Sequence, residues 1–163
     1  MSRISYIYCD ANVFLAYFNA EENRVQTVDQ LFEDIQKDVQ KKVVTSVLSI
    51  TEVSHIAVER TKNKASQDIL NAIDSFWGDM SLIEFIDFNE LIARKARELI
   101  RHAINLGFSL RTNDAIHLVS AQSIGISEFL TYDKRLEKFS QITNYAIKEP
   151  YVMNPRLPFT FED

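Results

Sequence analysis

Apolar positions along this chain follow two rhythms in turn. Ile4 to Cys9 is a short β-rich run, and Asn12 to Asn19 takes helical spacing. From Val25 to Lys41 the residues Val28, Leu31, Phe32, Ile35 and Val39 fall on one helical face. Lys42 to Thr45 reads as a second strand. Val47 to Arg60 reads as one helix with Val47, Ile50, Val53, Ile56 and Ala57 apolar. Gln67 to Trp77 continues in helical spacing, Leu82 to Phe88 suits a strand, and Leu91 to Leu106 is helical up to Gly107. Asn113 to Ile124 is a further helix, stopped by Gly125, and Phe129–Tyr132 and Asn144–Lys148 are the last strands. Strands separated by helices predict an α/β fold, with a central parallel sheet of about five strands and helices on both faces.

With 163 residues and 46% apolar content, the chain has enough material for one buried core. Three glycines and three prolines are too few for a disordered or low-complexity segment. One domain over residues 1–149 is expected, followed by an extended tail over 150–163 that holds Pro150, Pro155 and Pro158. Cys9 is a single cysteine, so no intrachain disulfide can form. No apolar run approaches a membrane span, and Met1 to Ser5 lacks a signal-peptide layout. A cytoplasmic protein is therefore expected. A net charge of −5 argues against a protein that coats nucleic acid non-specifically, because such binding needs excess Lys and Arg. The basic residues are nonetheless grouped: Arg60, Lys62 and Lys64; Arg94, Lys95, Arg97 and Arg101; Lys134, Arg135 and Lys138.

Four acids change the picture. They are Asp10 in YIYCDANVF, Glu52 in SVLSITEVSH, Asp114 in RTNDAIHL and Asp133 in FLTYDKRL. Ligands of open α/β sheets bind outside the carboxyl ends of the strands, and Asp10 and Asp133 lie just past two such ends. Glu52 and Asp114 join them if their helices run past the same edge. Each acid also has a purely local reading. Asn12 and Asp133 suit helix N-caps, Asp114 suits the positive end of a helix dipole, and Glu52 suits the margin of a buried face. Together they need more than that. Two carboxylates about 5 Å apart repel by roughly 3 kcal/mol at an effective dielectric of about 20. A divalent cation offsets such repulsion, and oxygen-only ligands favour Mg²⁺ or Mn²⁺ over zinc.

The D-x-N after the first strand, the Glu inside the third helix, D-A-I-H-L-x-x-A opening a helix and L-T-Y-D after the fourth strand resemble, in order and spacing, the PIN domain. This is the nuclease fold of the VapC-type toxins of toxin–antitoxin pairs. The resemblance covers nearly the whole chain and implies a three-layer PIN-like fold. It also implies a metal-dependent ribonuclease that hydrolyses RNA phosphodiester bonds with Mg²⁺ or Mn²⁺. Asp10, Glu52, Asp114 and Asp133 map to the family's acidic quartet, and Asn12 and Thr131 to its accessory polar positions. RNA is the implied substrate, and an antitoxin and a second copy of the chain are implied partners. The set Phe14, Leu15, Tyr17 and Phe18 reads first as core, and part of it is a candidate groove lining for either partner. A stand-alone nuclease has the same appearance, and the stretch 67–80 and the tail make this chain longer than a compact toxin.

Other chemistries fit less well. Glu52-x-x-His55 and Asp114-x-x-His117 suggest a di-iron bundle, but only one true Glu-x-x-His is present and the β-rich runs oppose a bundle. His55 and His117 then read as supporting or core residues. A haloacid-dehalogenase-like phosphatase needs a second Asp where Asn12 stands. The alternative from another class is a non-catalytic PIN-like module that binds RNA or protein.

Overall fold

A computed structural model describes residues 4–155. The described residues form one five-stranded sheet in the order β3-β2-β1-β4-β5, every neighbouring pair parallel. The strands are β1 (Ser5–Cys9), β2 (Lys41–Ser46), β3 (Ile83–Ile86), β4 (Glu128–Leu130) and β5 (Ala146–Lys148). The helices are α1 (Ala11–Phe18), α2 (Val25–Lys37), α3 (Leu48–Glu52), α4 (Ala57–Lys62), α5 (Gln67–Trp77), α6 (Glu90–Asn105), α7 (Thr112–Ile124) and α8 (Ser140–Thr143). A 3₁₀ turn over Lys134–Phe139 precedes α8. The expected three-layer α/β architecture is the one observed.

Strand alternation sends β1 side chains into two cores. Ile7 and Cys9 join Val43, Ile83 and Leu130 against α1, α2 and α5, where Val13, Phe14, Leu31, Ile35 and Trp77 are buried. Tyr8 joins Val44, Phe129 and Ile147 on the opposite face, under Ala103 of α6 and Leu118 of α7. Burial on both faces is why β1 reads as a near-continuous apolar run. Phe14 is wholly buried, its ring 4.9 Å from that of Trp77 and 5.9 Å from that of Phe32. Truncating such a ring costs about 3–5 kcal/mol. Of the set Phe14, Leu15, Tyr17 and Phe18, Phe14 is core, and the other three are partly buried against it, with Tyr17 and Phe18 packed on Phe76.

The chain starts outward from β1 to β2 and β3, then returns to the other side of β1 for β4 and β5. The reversal lies between β1 and β4. At such a switch point the crossovers diverge and leave a crevice past the strand ends. The backbone joins the two ends there: Asp10 N–H donates to Leu130 O at 3.2 Å.

Several expected boundaries move. The helix expected over Val25–Lys41 ends at Lys37, because Asp38 is extended and its carboxylate accepts Gln40 N–H at 3.0 Å in a turn that feeds β2. Val39 therefore leaves the apolar face and is 90% exposed. The helix expected over Val47–Arg60 is two helices. Ile56 is extended, Glu59 reaches back to Ile56 N–H at 3.0 Å, and Asn19 Oδ1 accepts Ala57 N–H at 2.7 Å, so a new helix starts at Ala57. Strands β3, β4 and β5 are shorter than expected, and Phe88 lies beyond β3, exposed. Gly125 ends α7 at φ 67°, a left-handed conformation that glycine adopts without strain.

Residues 150–155 form neither helix nor strand. Tyr151 donates to Glu128 at 2.7 Å, and Asn154 N–H donates to Asp34 at 3.2 Å. The rest of the expected tail, residues 156–163, lies outside the described residues, as do residues 1–3. Among the described residues, no helix is long and apolar enough to cross a membrane.

Candidate active site

The crevice past β1 and β4 is a cleft of about 430 Å³ lined by Asp10, Asn12, Glu52, Asp114 and Asp133, with Leu15, Arg111, His117 and Arg135. All four acids picked from the sequence reach it, although they are spread from Asp10 to Asp133. Asp10 follows β1, Glu52 ends α3, Asp114 lies in the first turn of α7, and Asp133 follows β4.

Asp10 is 5% exposed and is the N-cap of α1, so that role does not fall to Asn12. Asn12 instead ties the site together. Its Nδ2 donates to Asp10 Oδ2 at 2.9 Å and to Thr131 Oγ1 at 3.0 Å, and its Oδ1 accepts Tyr132 N–H at 2.8 Å. Thr131, itself buried, also accepts Asp133 N–H at 2.9 Å. Asp10 Oδ1 is buried with no hydrogen-bond partner. Burial pushes the Asp10 carboxyl up to about 7, against the pull of His117, Thr131 and the Val13 amide, while Asp114 pushes it further up.

Glu52 is gripped from α7. Asn113 Nδ2 donates to Oε1 at 2.9 Å, and His117 Nε2 lies 2.6 Å from Oε2. The His117 tautomer follows from the bonds behind it. Tyr8 Oη accepts Ser46 N–H at 3.0 Å, which leaves its own proton for His117 Nδ1 at 2.7 Å. Full burial holds the Tyr8 hydroxyl well above its usual range, so that proton stays. His117 then carries its hydrogen on Nε2 and donates it to Glu52. Burial acts to raise the Glu52 carboxyl, but the His117 and Asn113 bonds outweigh it and leave it lowered. His117, expected from sequence as a supporting or core residue, is both: it is buried and it holds Glu52. Tyr8 gave none, because a strand tyrosine reads as core.

Asp114 has no hydrogen-bond or ion-pair partner among the described residues. Burial raises its carboxyl and Asp133 adds to this, while Arg111 opposes. Asp133 is different. It caps the 3₁₀ turn through Arg135 N–H at 3.0 Å and takes Arg135 Nε at 2.8 Å, with a further bond from Arg135 Nη2. Those bonds to Arg135 lower its carboxyl first, against burial. Arg135 was counted from sequence only as part of a basic group. The N-cap reading of Asp133 is met, and Arg135 is the residue that reading missed.

The donor set suits a hard divalent cation. It is made of carboxylate oxygens, and two of the acids present oxygens that nothing else satisfies. Among the described residues, no three such side chains already converge into a ready ligand set. Asp10 Oδ1, buried and without a partner, is the atom that most needs one.

Comparison with known proteins gives one consistent result. The PIN domain family model matches residues 7–142. A curated relative from Aquifex aeolicus (strain VF5), described as a VapC ribonuclease, is 26% identical over 132 residues, 79% of this chain and 88% of that protein. Among solved structures, VapBC2 from Rickettsia felis bound to a DNA fragment from their promoter gives a TM-score of 0.67 at 17% identity, covering 88% of this chain and 98% of that one. Mycobacterium tuberculosis VapC20, described as a sarcin-ricin loop cleaving toxin, gives 0.59 at 19% identity, covering 78% and 90%. At these identities the structural likeness is one of fold.

Proposed function

This chain belongs to the PIN domain family, and we propose that it is an Mg²⁺- or Mn²⁺-dependent endoribonuclease acting as the toxin of a toxin–antitoxin pair. The observation that carries this reading is the meeting of Asp10, Glu52, Asp114 and Asp133 on one cleft at the sheet's switch point, with Asp10 Oδ1 buried and unpartnered. The VapC ribonuclease relative supports RNA as the substrate class. The VapBC complexes among the structural neighbours support an antitoxin partner. A homodimer belongs to the same reading.

Asp10, Glu52, Asp114 and Asp133 would hold the cation, which when bound lowers the pKa of a water and neutralises charge on the phosphate. The chain's own residues prepare the rest. Asn12 fixes Asp10 against Thr131 through Oδ2, which leaves Oδ1 buried and without a partner. His117 and Asn113 hold both oxygens of Glu52. Arg111 lines the same cleft, near Asp114 and Asp133 but in no ion pair with either, and would meet a phosphate oxygen there. No side-chain nucleophile is required.

A binding module without activity is the second reading, favoured by the engagement of Asp133 with Arg135. One experiment separates them. The purified chain is incubated with single-stranded and structured RNAs in Mg²⁺, Mn²⁺ or EDTA, alongside Asp10→Asn and Asp114→Asn. Metal-dependent cutting lost in both variants is expected. Cutting in EDTA, or cutting that survives both substitutions, removes the quartet from the chemistry. No cutting in either metal moves the binding module ahead.

A further inference from the structure

The acid cleft does not end at Glu52. A second depression of about 270 Å³ shares Leu15 and Glu52 with it and continues along α4, lined by Asn19, His55, Arg60 and Thr61. The two form one groove over Leu15. Its far wall exists because the chain breaks between α3 and α4. The bond from Ala57 N–H to Asn19 Oδ1 pins the start of α4 to the end of α1, which sets Arg60 and Thr61 opposite Leu15.

Charge changes sign along this groove. Arg60 is exposed and has no ion-pair partner among the described residues. The neighbouring acid, Glu59, is directed elsewhere, its two oxygens accepting Ile56 N–H at 3.0 Å and Ser66 N–H at 2.7 Å. His55 has Nδ1 bonded to Ser54 at 3.0 Å and presents its ring to the depression. Arg111 lines the acid cleft itself, near Asp114 and Asp133. An acidic centre is therefore continued along α4 by a depression that holds an unpaired guanidinium, with Leu15 shared between the two.

We infer that the α4 depression is a nucleotide subsite of single-stranded RNA, in which Arg60 takes the phosphate next to the one at the quartet. Leu15 and the His55 ring contact the sugar and base between them. This rests on the ribonuclease reading above and adds where the strand leaves the cleft. The chemistry fits RNA better than a peptide: a polyanion leaving a metal-dependent centre needs a cation along its path, and His and Arg planes stack bases without regard to sequence.

The test is RNA binding as a function of salt, read by fluorescence anisotropy of a labelled single-stranded RNA of mixed sequence. The chain carries Asp10→Asn so that RNA is bound and not cut, and Arg60→Gln is added to it. Each phosphate contact on single strands contributes about 0.7 to the slope of log K against log salt. Loss of about that slope is expected in Arg60→Gln, with weaker binding at every sequence tried. Lys64→Gln, at an exposed cation of the same segment that lines a separate depression, is expected to keep the slope. An unchanged slope in Arg60→Gln, or an equal loss in Lys64→Gln, overturns the subsite while RNA binding stands. The first of these is also the result expected if the groove takes a protein segment. Absence of RNA binding in the parent overturns the subsite and the ribonuclease reading together.

Discussion

Asp10 is held under opposing demands. Its carboxyl is buried and keeps its proton up to about 7, whereas an unfolded Asp loses it near 3.8. Between these values the unfolded chain binds fewer protons than the folded one, so metal-free stability falls as pH rises from about 4 to about 7. Removing the charge should reverse that loss. Asp10→Asn is expected to be as stable as the parent near pH 4 and more stable above pH 7, by at most about 4 kcal/mol. Denaturant melts in EDTA across that range would show it, and a pH-independent difference would mean that Asp10 is not the titrating group. Asp133 offers the complementary case. Its oxygens are taken up by Arg135, which a cation would have to displace. If Asp133 is a ligand, Arg135→Gln binds Mn²⁺ several-fold more tightly by calorimetry. If it serves only as a cap, the affinity is unchanged.

At the scale of elements, the break after α3 shows what periodicity could and could not reveal. Val47, Ile50, Val53 and Ile56 keep helical spacing across it, so one helix was the natural reading, yet Ile50 is 43% exposed. What starts the second helix is tertiary: Asn19, far along the chain, supplies an acceptor to Ala57 N–H. Glu59 supplies the local part. Glu59→Ala should speed amide exchange at Ile56 and Ser66 on the order of tenfold, the loss of one typical hydrogen bond, with the sheet amides unaffected. Uniform acceleration throughout the chain would instead mark global destabilisation. The strand-end acids were legible because the strand–acid–helix order is itself a local pattern. The grip of Tyr8 and His117 on Glu52 was not, because it crosses from sheet to helix through side chains whose identities favour a plain core.

Across the whole molecule, the site belongs to the topology more than to any one element. Three layers bury β1 on both faces, and the reversal of strand order at β1 and β4 opens the crevice into which α3 and α7 deliver their acids. Asn12 closes that seam by binding residues on both sides of it. Its partner Tyr132 lies 120 positions further along the chain. The chain must therefore run through β4 before Asp10, Glu52 and Asp114 can share one cleft with Asp133. Under the proposed ribonuclease reading, a chain cut short before β4 is expected to lack hydrolytic activity.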